Sequence, residues 1–121
     1  MEHMSDASAG WNFFSNYAHV LVCLAENADA RLRDVAARVD ITERTAHRLV
    51  THLEEAGILM RVKEGRRNSY VIDTEARLRH PIESHCTVGE LLATILSAAD
   101  FKELTERSGG TGRGRRQGAA V

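Results

Sequence analysis

From Trp11 to Ala28 apolar residues recur at steps of three and four: Trp11, Phe14, Tyr17, Ala18, Leu21, Leu24, Ala25 and Ala28, with no proline or glycine between them. This spacing predicts an amphipathic helix over 11–28 with a broad apolar face. Leu32, Val35, Ala36 and Val39 follow at i, i+3, i+4 and i+7, the pattern of a second, shorter helix. After a break at Asp40 and Ile41, Thr42 is placed to cap a third helix whose first-turn Glu43 suits the positive end of its dipole. The apolar set Ala46, Leu49, Val50 and Leu53 runs on to Ala56, and Gly57 stands where a left-handed residue ends a helix. The third helix is expected over about 43–56.

Beyond Gly57 the period changes. Residues 58–63 (ILMRVK) and 69–72 (SYVI) read as strands, joined by the turn segment 64–68 (EGRRN), which contains glycine and asparagine. The hairpin is expected over about 58–72. A polar connector with the single proline, Pro81, covers 73–86, with a helical turn expected near Glu75 to Leu78. Thr87 and Glu90 have capping-box spacing, and Val88, Leu91, Leu92, Ile95, Leu96, Ala99 and Leu104 predict one long helix over about 88–106. Residues 1–10 are expected to be flexible. Residues 107–121, rich in glycine and arginine, are expected to form a disordered basic tail.

The order helix, helix, short break, helix, glycine, hairpin has the spacing of a helix-turn-helix followed by a wing. The segments Thr42–Leu59 (TERTAHRLVTHLEEAGIL) and Gly65–Tyr70 (GRRNSY) carry a likeness that covers about residues 12–72. On these residues the chain resembles winged helix-turn-helix transcription regulators of the broad MarR, ArsR and IclR kind. The resemblance implies a recognition helix running into the first strand, a wing tip at 65–70, and DNA as the partner. The fold class expected is mainly α with a small β-hairpin (α+β), a single domain over 11–106. Its winged core would be flanked by N- and C-terminal dimerisation helices.

The third helix offers a polar face suited to base edges and phosphates: Glu43, Arg44, Thr45, His47, Arg48, Thr51 and His52 lie outside its apolar set. Arg44 or Arg48 could pair bidentately with guanine, Glu43 could accept from a cytosine amine, and Thr42, Thr45 and Thr51 could hold phosphates or thymine methyls. A plain solvated helix surface has the same composition. In the hairpin, Lys63, Arg66, Arg67 and Asn68 could reach a phosphate strand or a narrow minor groove, although lysine and arginine also keep exposed strand edges soluble. Arg61 is read as a backbone contact or as an aliphatic cover for its strand, and Tyr70 as packed on the third helix.

Trp11, Phe13, Phe14 and Tyr17 put aromatic rings on more than one side of the first helix, and the 88–106 stripe has no further domain to cover. A homodimer joined through these residues and Val88, Leu91, Leu92, Ile95, Leu96 and Ala99 would set two recognition helices about 34 Å apart, one DNA turn, on a pseudo-palindromic operator. The alternative is that the last helix folds back on its own subunit.

Composition adds restraint. The chain has 121 residues, 43% hydrophobic and 27% charged, and a net charge of -1, which by itself argues against a uniformly basic nucleic-acid binder. Divided along the chain, the charge is -4 over 1–30, +1 over 31–40, +2 over 41–72, -4 over 73–106 and +4 over 107–121. The cations thus gather in the helix-turn-helix, the wing and the tail. Two cysteines, Cys23 and Cys86, are too few for a disulfide scaffold, so reduced thiols are expected, with Cys23 a small core residue. The first thirty residues hold no Lys or Arg to open a signal peptide, no apolar run is long enough to span a bilayer, and a cytoplasmic address is expected.

No phosphate loop, Gly-x-Ser-x-Gly or His-Glu-x-x-His motif occurs, so an enzyme is not expected, and neither is a cofactor. His80, His85 and Cys86 fall within seven residues, but at no chelate spacing. They leave open a metal- or redox-responsive repressor, while no metal site is expected. The other rival is a winged-helix module that binds protein rather than DNA, with the recognition helix idle. An effector ligand, if there is one, would have to lie between the DNA-binding core and the dimer helices.

Overall fold

The computed structural model describes residues 10–107; the expected flexible 1–10 and basic tail 107–121 lie outside them except for Gly10 and Arg107, and Arg107 ends a helix instead of opening the tail. Among the described residues, five helices and one hairpin follow in the order α1 (Asn16–Glu26), α2 (Leu32–Val39), α3 (Glu43–Glu55), β1 (Leu59–Glu64), β2 (Arg67–Ile72), α4 (Val88–Ile95) and α5 (98–107). The fold is mainly α with a small antiparallel hairpin, as a winged helix-turn-helix requires.

The middle of the chain follows its local signals. Thr42 Oγ1 accepts the Thr45 amide at 3.0 Å and starts α3. Asp40, in the left-handed region at φ 68°, closes α2. The three residues 40–42 therefore make the turn. Ala46, Leu49, Val50 and Leu53 are buried as their spacing requires, and the last three meet Leu32 and Val35 of α2 and Val20, Leu21 and Leu24 of α1 in one core. The wing strands pair from Leu59–Ile72 to Glu64–Arg67. The turn is thus the two residues Gly65 and Arg66, shorter than the five expected. Gly65 has φ 65°, at the first central position of a glycine-first tight turn. Inward residues Leu59, Tyr70 and Ile72 attach the hairpin to the core, and the Tyr70 amide donates to the Ala28 carbonyl at 3.0 Å.

Three further expectations are corrected. The first helix begins at Asn16 rather than Trp11: Ser15 is extended, and residues 11–15 are exposed. Trp11 and Phe13 pack edge to face on each other, with centroids 5.1 Å apart, but bury nothing against the core that would hold a helix there. No helical turn forms at 75–78. The carbonyls of Thr74 and Ala76 are taken by the amides of Gly89 and Val88, and Arg77 bridges Thr87.

The long C-terminal helix is interrupted at Leu96 and Ser97. Leu96 is extended at ψ 153°, and Ser97 Oγ accepts the Asp100 amide at 3.1 Å, starting α5. The break lets Leu96 and Leu104 both reach the core, which a straight helix would carry past it. Thr87 and Glu90 form the expected capping box at the start of α4. Arg107 at the end of α5 donates to the Ala25 carbonyl at the end of α1 at 3.1 Å, so the C-terminal pair of helices is fastened to its own subunit.

Candidate nucleic-acid interface

The exposed side of α3 presents Glu43, Arg44, His47, Arg48 and Thr51, with Thr45 half-buried. Thr42 Oγ1 is spent on the cap and also donates to Thr45 Oγ1 at 2.9 Å, so both threonines are engaged in starting the helix. Glu43 Oε2 lies 3.7 Å from His47 Nε2, one turn along. The C-terminal end of α3 is held by other elements. Arg61 of β1 donates through Nε and Nη2 to the two carboxylate oxygens of Glu54, each at 3.1 Å, and stands 5.7 Å from the Tyr70 ring centroid. The Tyr17 hydroxyl of α1 lies 2.8 Å from His52 Nδ1. Arg61 is therefore a brace between wing and recognition helix rather than a free cation. Burial is the main cause that pushes the Tyr70 phenol above its usual range, so the ring serves as core under the wing.

A groove of about 630 Å³ opens between the start of α2, the start of α3 and the wing tip. It brings Glu43 and His47 together with Arg66, Arg67 and Asn68, residues that the sequence reading places on separate elements. Arg44, Arg48, Thr51 and Lys63 lie outside the groove lining, on the adjoining exposed surfaces of α3 and β1. The groove also contains Arg31 and Arg33, which the sequence reading missed. Their signal was the Arg-Leu-Arg alternation at the first turn of α2, which sets two cations on either side of a core leucine. The amides of Asp34 and Val35 share the Arg31 carbonyl, and the first amides of α2 point out of the helix beside these arginines.

The charges differ in their freedom. Among the described residues Arg31, Arg33, Arg44, Arg48, Lys63 and Arg66 have no ion pair, whereas Arg38 is bound to Glu26 at 2.6 Å and Arg61 to Glu54. Arg67 is intermediate, 3.9 Å from Asp29 and highly exposed. Unpaired guanidiniums around a concave surface are available to a polyanion at no cost in broken pairs.

The expected dimer residues divide. Val88, Leu92 and Leu96 are buried in the core of their own chain, which is the fold-back alternative for that face. Trp11 at 67% and Phe13 at 86% exposure remain uncovered, and Phe14, Tyr17, Ile95 and Ala99 are also exposed, with Leu91 half-buried. His80, His85 and Cys86 do not assemble: among the described residues no three His, Cys, Asp or Glu side chains come together as a metal-holding group. His80 Nδ1 instead accepts the Ile82 amide at 3.1 Å. No helix among the described residues is long and apolar enough to cross a membrane.

Residues 16–63 match the family model of the IclR helix-turn-helix domain. The matched segment takes in α1, α2, α3 and β1 up to Lys63, so it contains the turn and the recognition helix but stops short of the wing tip. No curated protein and no solved structure matches the chain. Helix order, hairpin and family match agree on a winged helix-turn-helix domain of the kind used in DNA-binding transcription regulation.

Proposed function

We propose that this chain is a homodimeric repressor that binds a pseudo-palindromic operator, with α3 in the major groove and the wing on the backbone or minor groove. The observation that carries the reading is the basic groove. Arg31, Arg33, Arg66 and Arg67 surround a concavity beside the exposed face of α3, and three of these four are unpaired. In the proposed complex Arg44 and Arg48 read bases, Glu43, His47 and Thr51 contribute to the same surface, and Lys63 and Asn68 accompany the wing arginines on the backbone. Thr42 and Thr45 hold the start of α3 in place. The first-turn amides of α2, at the positive end of its dipole and beside Arg31 and Arg33, suit a phosphate.

Uncovered Trp11 and Phe13, together with Leu91 and Ile95 one turn apart on α4, support association through these residues, none of which lines the basic groove. The test is fluorescence anisotropy with a duplex from the protein's own upstream region, alongside size-exclusion chromatography. Arg44→Ala or Arg48→Ala should cost about 1–3 kcal/mol against the operator and relax sequence preference. Arg66→Ala and Arg67→Ala should weaken all duplexes and each lower the salt slope by about 1. Unchanged salt-dependent binding in all four variants would overturn the DNA reading, and a chain that stays monomeric on the operator would overturn the dimer.

A further inference from the structure

Residues 108–121 contain Arg113, Arg115 and Arg116 and no Asp or Glu, and they follow Arg107, whose side chain is held at the Ala25 carbonyl. We propose that these three arginines enter a minor groove of the duplex beside the major groove that α3 faces, and that they favour base pairs without the guanine 2-amino group. The proposal rests on the DNA reading and adds a second contact to it, one that the winged core does not make.

The fold fixes where this segment departs. Arg107 Nη2 donates to the Ala25 carbonyl at 3.1 Å, and a few positions after Ala25 come Asp29, Ala30 and Arg31, which line the basic groove. Two bonds keep that stretch short: the Ala30 amide donates to the Asn27 carbonyl and the Asp29 amide to Asn27 Oδ1, each at 3.1 Å. The Tyr70 amide on the Ala28 carbonyl ties the same stretch to the wing. The point of departure therefore lies near the α2 edge of the basic groove. From Arg107 the chain reaches up to about 20 Å at Arg113 and about 30 Å at Arg116. The next minor groove is half a turn, roughly 17 Å, along the duplex from the major groove, so the reach suffices.

Chemistry selects the groove. Gly112 and Gly114 flank Arg113 with no side chain to hold the backbone off a narrow cleft, and the concentrated negative potential of such a cleft draws in guanidinium groups. An A·T pair shows only acceptors there, whereas a G·C pair adds the guanine amine, a donor facing donors. The competing surface within the chain is weaker: residues 73–106 have a net charge of -4, while a duplex has one negative charge per about 1.7 Å of axis. Tethering to a core already on the duplex makes this second contact intramolecular, so three arginines are enough to register in the affinity.

The experiment measures anisotropy of the full chain on two duplexes of one G·C-rich sequence, the second with inosine in place of guanine. Inosine removes the 2-amino group from the minor groove and keeps the acceptors of the major-groove edge. The unaltered chain should bind the inosine duplex about fivefold tighter. A variant with Arg113→Ala, Arg115→Ala and Arg116→Ala together should lose that preference to within about twofold and lower the salt slope on the inosine duplex by about 2 to 3, with the thermal midpoint unchanged. An unaltered chain without the preference would overturn the proposal. A preference that survives the triple substitution would do so by assigning it to the wing, and an affinity that rises would do so by placing the arginines on the chain's own acidic surface. On the duplex from the upstream region, binding that falls with Arg44→Ala yet ignores the triple substitution overturns this proposal alone. A full chain that binds no duplex overturns the DNA reading and this contact with it.

Discussion

Arg61 and Glu54 meet through two parallel hydrogen bonds of 3.1 Å, one from Nε and one from Nη2, joining the first strand of the wing to the last turn of the recognition helix. Both side chains are about one-third exposed or less. The pair therefore sets the angle between the two elements that the DNA reading places on one duplex, and a lysine could not reproduce its planar fork. A double-mutant cycle with Arg61→Ala and Glu54→Ala, followed by urea denaturation, should give a coupling of about 0.5–1 kcal/mol. A value near zero would show that wing and helix hold their positions without it.

Thr42 is expected to act through stability rather than through contact. Its hydroxyl accepts the Thr45 amide at 3.0 Å. Thr42→Ala should cost about 1 kcal/mol in denaturant unfolding, whereas Thr42→Ser or Thr42→Asp should retain most of it. Equal losses in all three variants would point to the methyl group and not the cap.

Asp29 is the carboxylate nearest to the exposed Arg67, at 3.9 Å, and it lines the basic groove. An anion there competes with phosphate for the wing cation and repels the duplex. Asp29→Asn should thus raise duplex affinity severalfold at low salt, with the gain fading as salt increases, when measured by anisotropy. A loss of affinity would show that Asp29 positions Arg67 instead.

Gly89 stands where no side chain fits. Its amide donates to the Thr74 carbonyl at 2.9 Å, and a Cβ would lie 2.9 Å from that same oxygen and 3.1 Å from Thr74 Cβ. Relief requires moving backbone, so Gly89→Ala should destabilise the chain by about 1–3 kcal/mol despite its better helix propensity. A stabilised variant in thermal unfolding would contradict this account.

The two thiols should react in a fixed order. Cys23 is buried in α1, and desolvation is the main cause that pushes its thiol above the usual range, offset in part by Arg38. Because the thiolate is the nucleophile, a raised value leaves less of it at neutral pH and burial blocks access. With iodoacetamide at pH 7.5, Cys86 should be modified first and Cys23 only on unfolding, as read by mass spectrometry.

The sequence by itself determined the centre of the molecule. The 3.6-residue period placed α2 and α3, threonines announced the starts of α3 and α4, and the change of period after Gly57 marked the wing. These signals are local: a cap or an amphipathic face reports the state of its own few residues, and here the core agrees with them. Tertiary structure decided the rest. Trp11 to Ser15 match a helical pattern yet stay outside α1, because a periodic apolar face needs a surface to bury against. The stripe from Val88 to Leu104 breaks at Leu96 and Ser97, because reaching one compact core mattered more than continuing one helix. The basic groove was legible only in part. Arg66 and Arg67 stood out at a turn, but Arg31 and Arg33 joined them only when α2 and the wing met in space, a relationship between distant residues that no local period encodes.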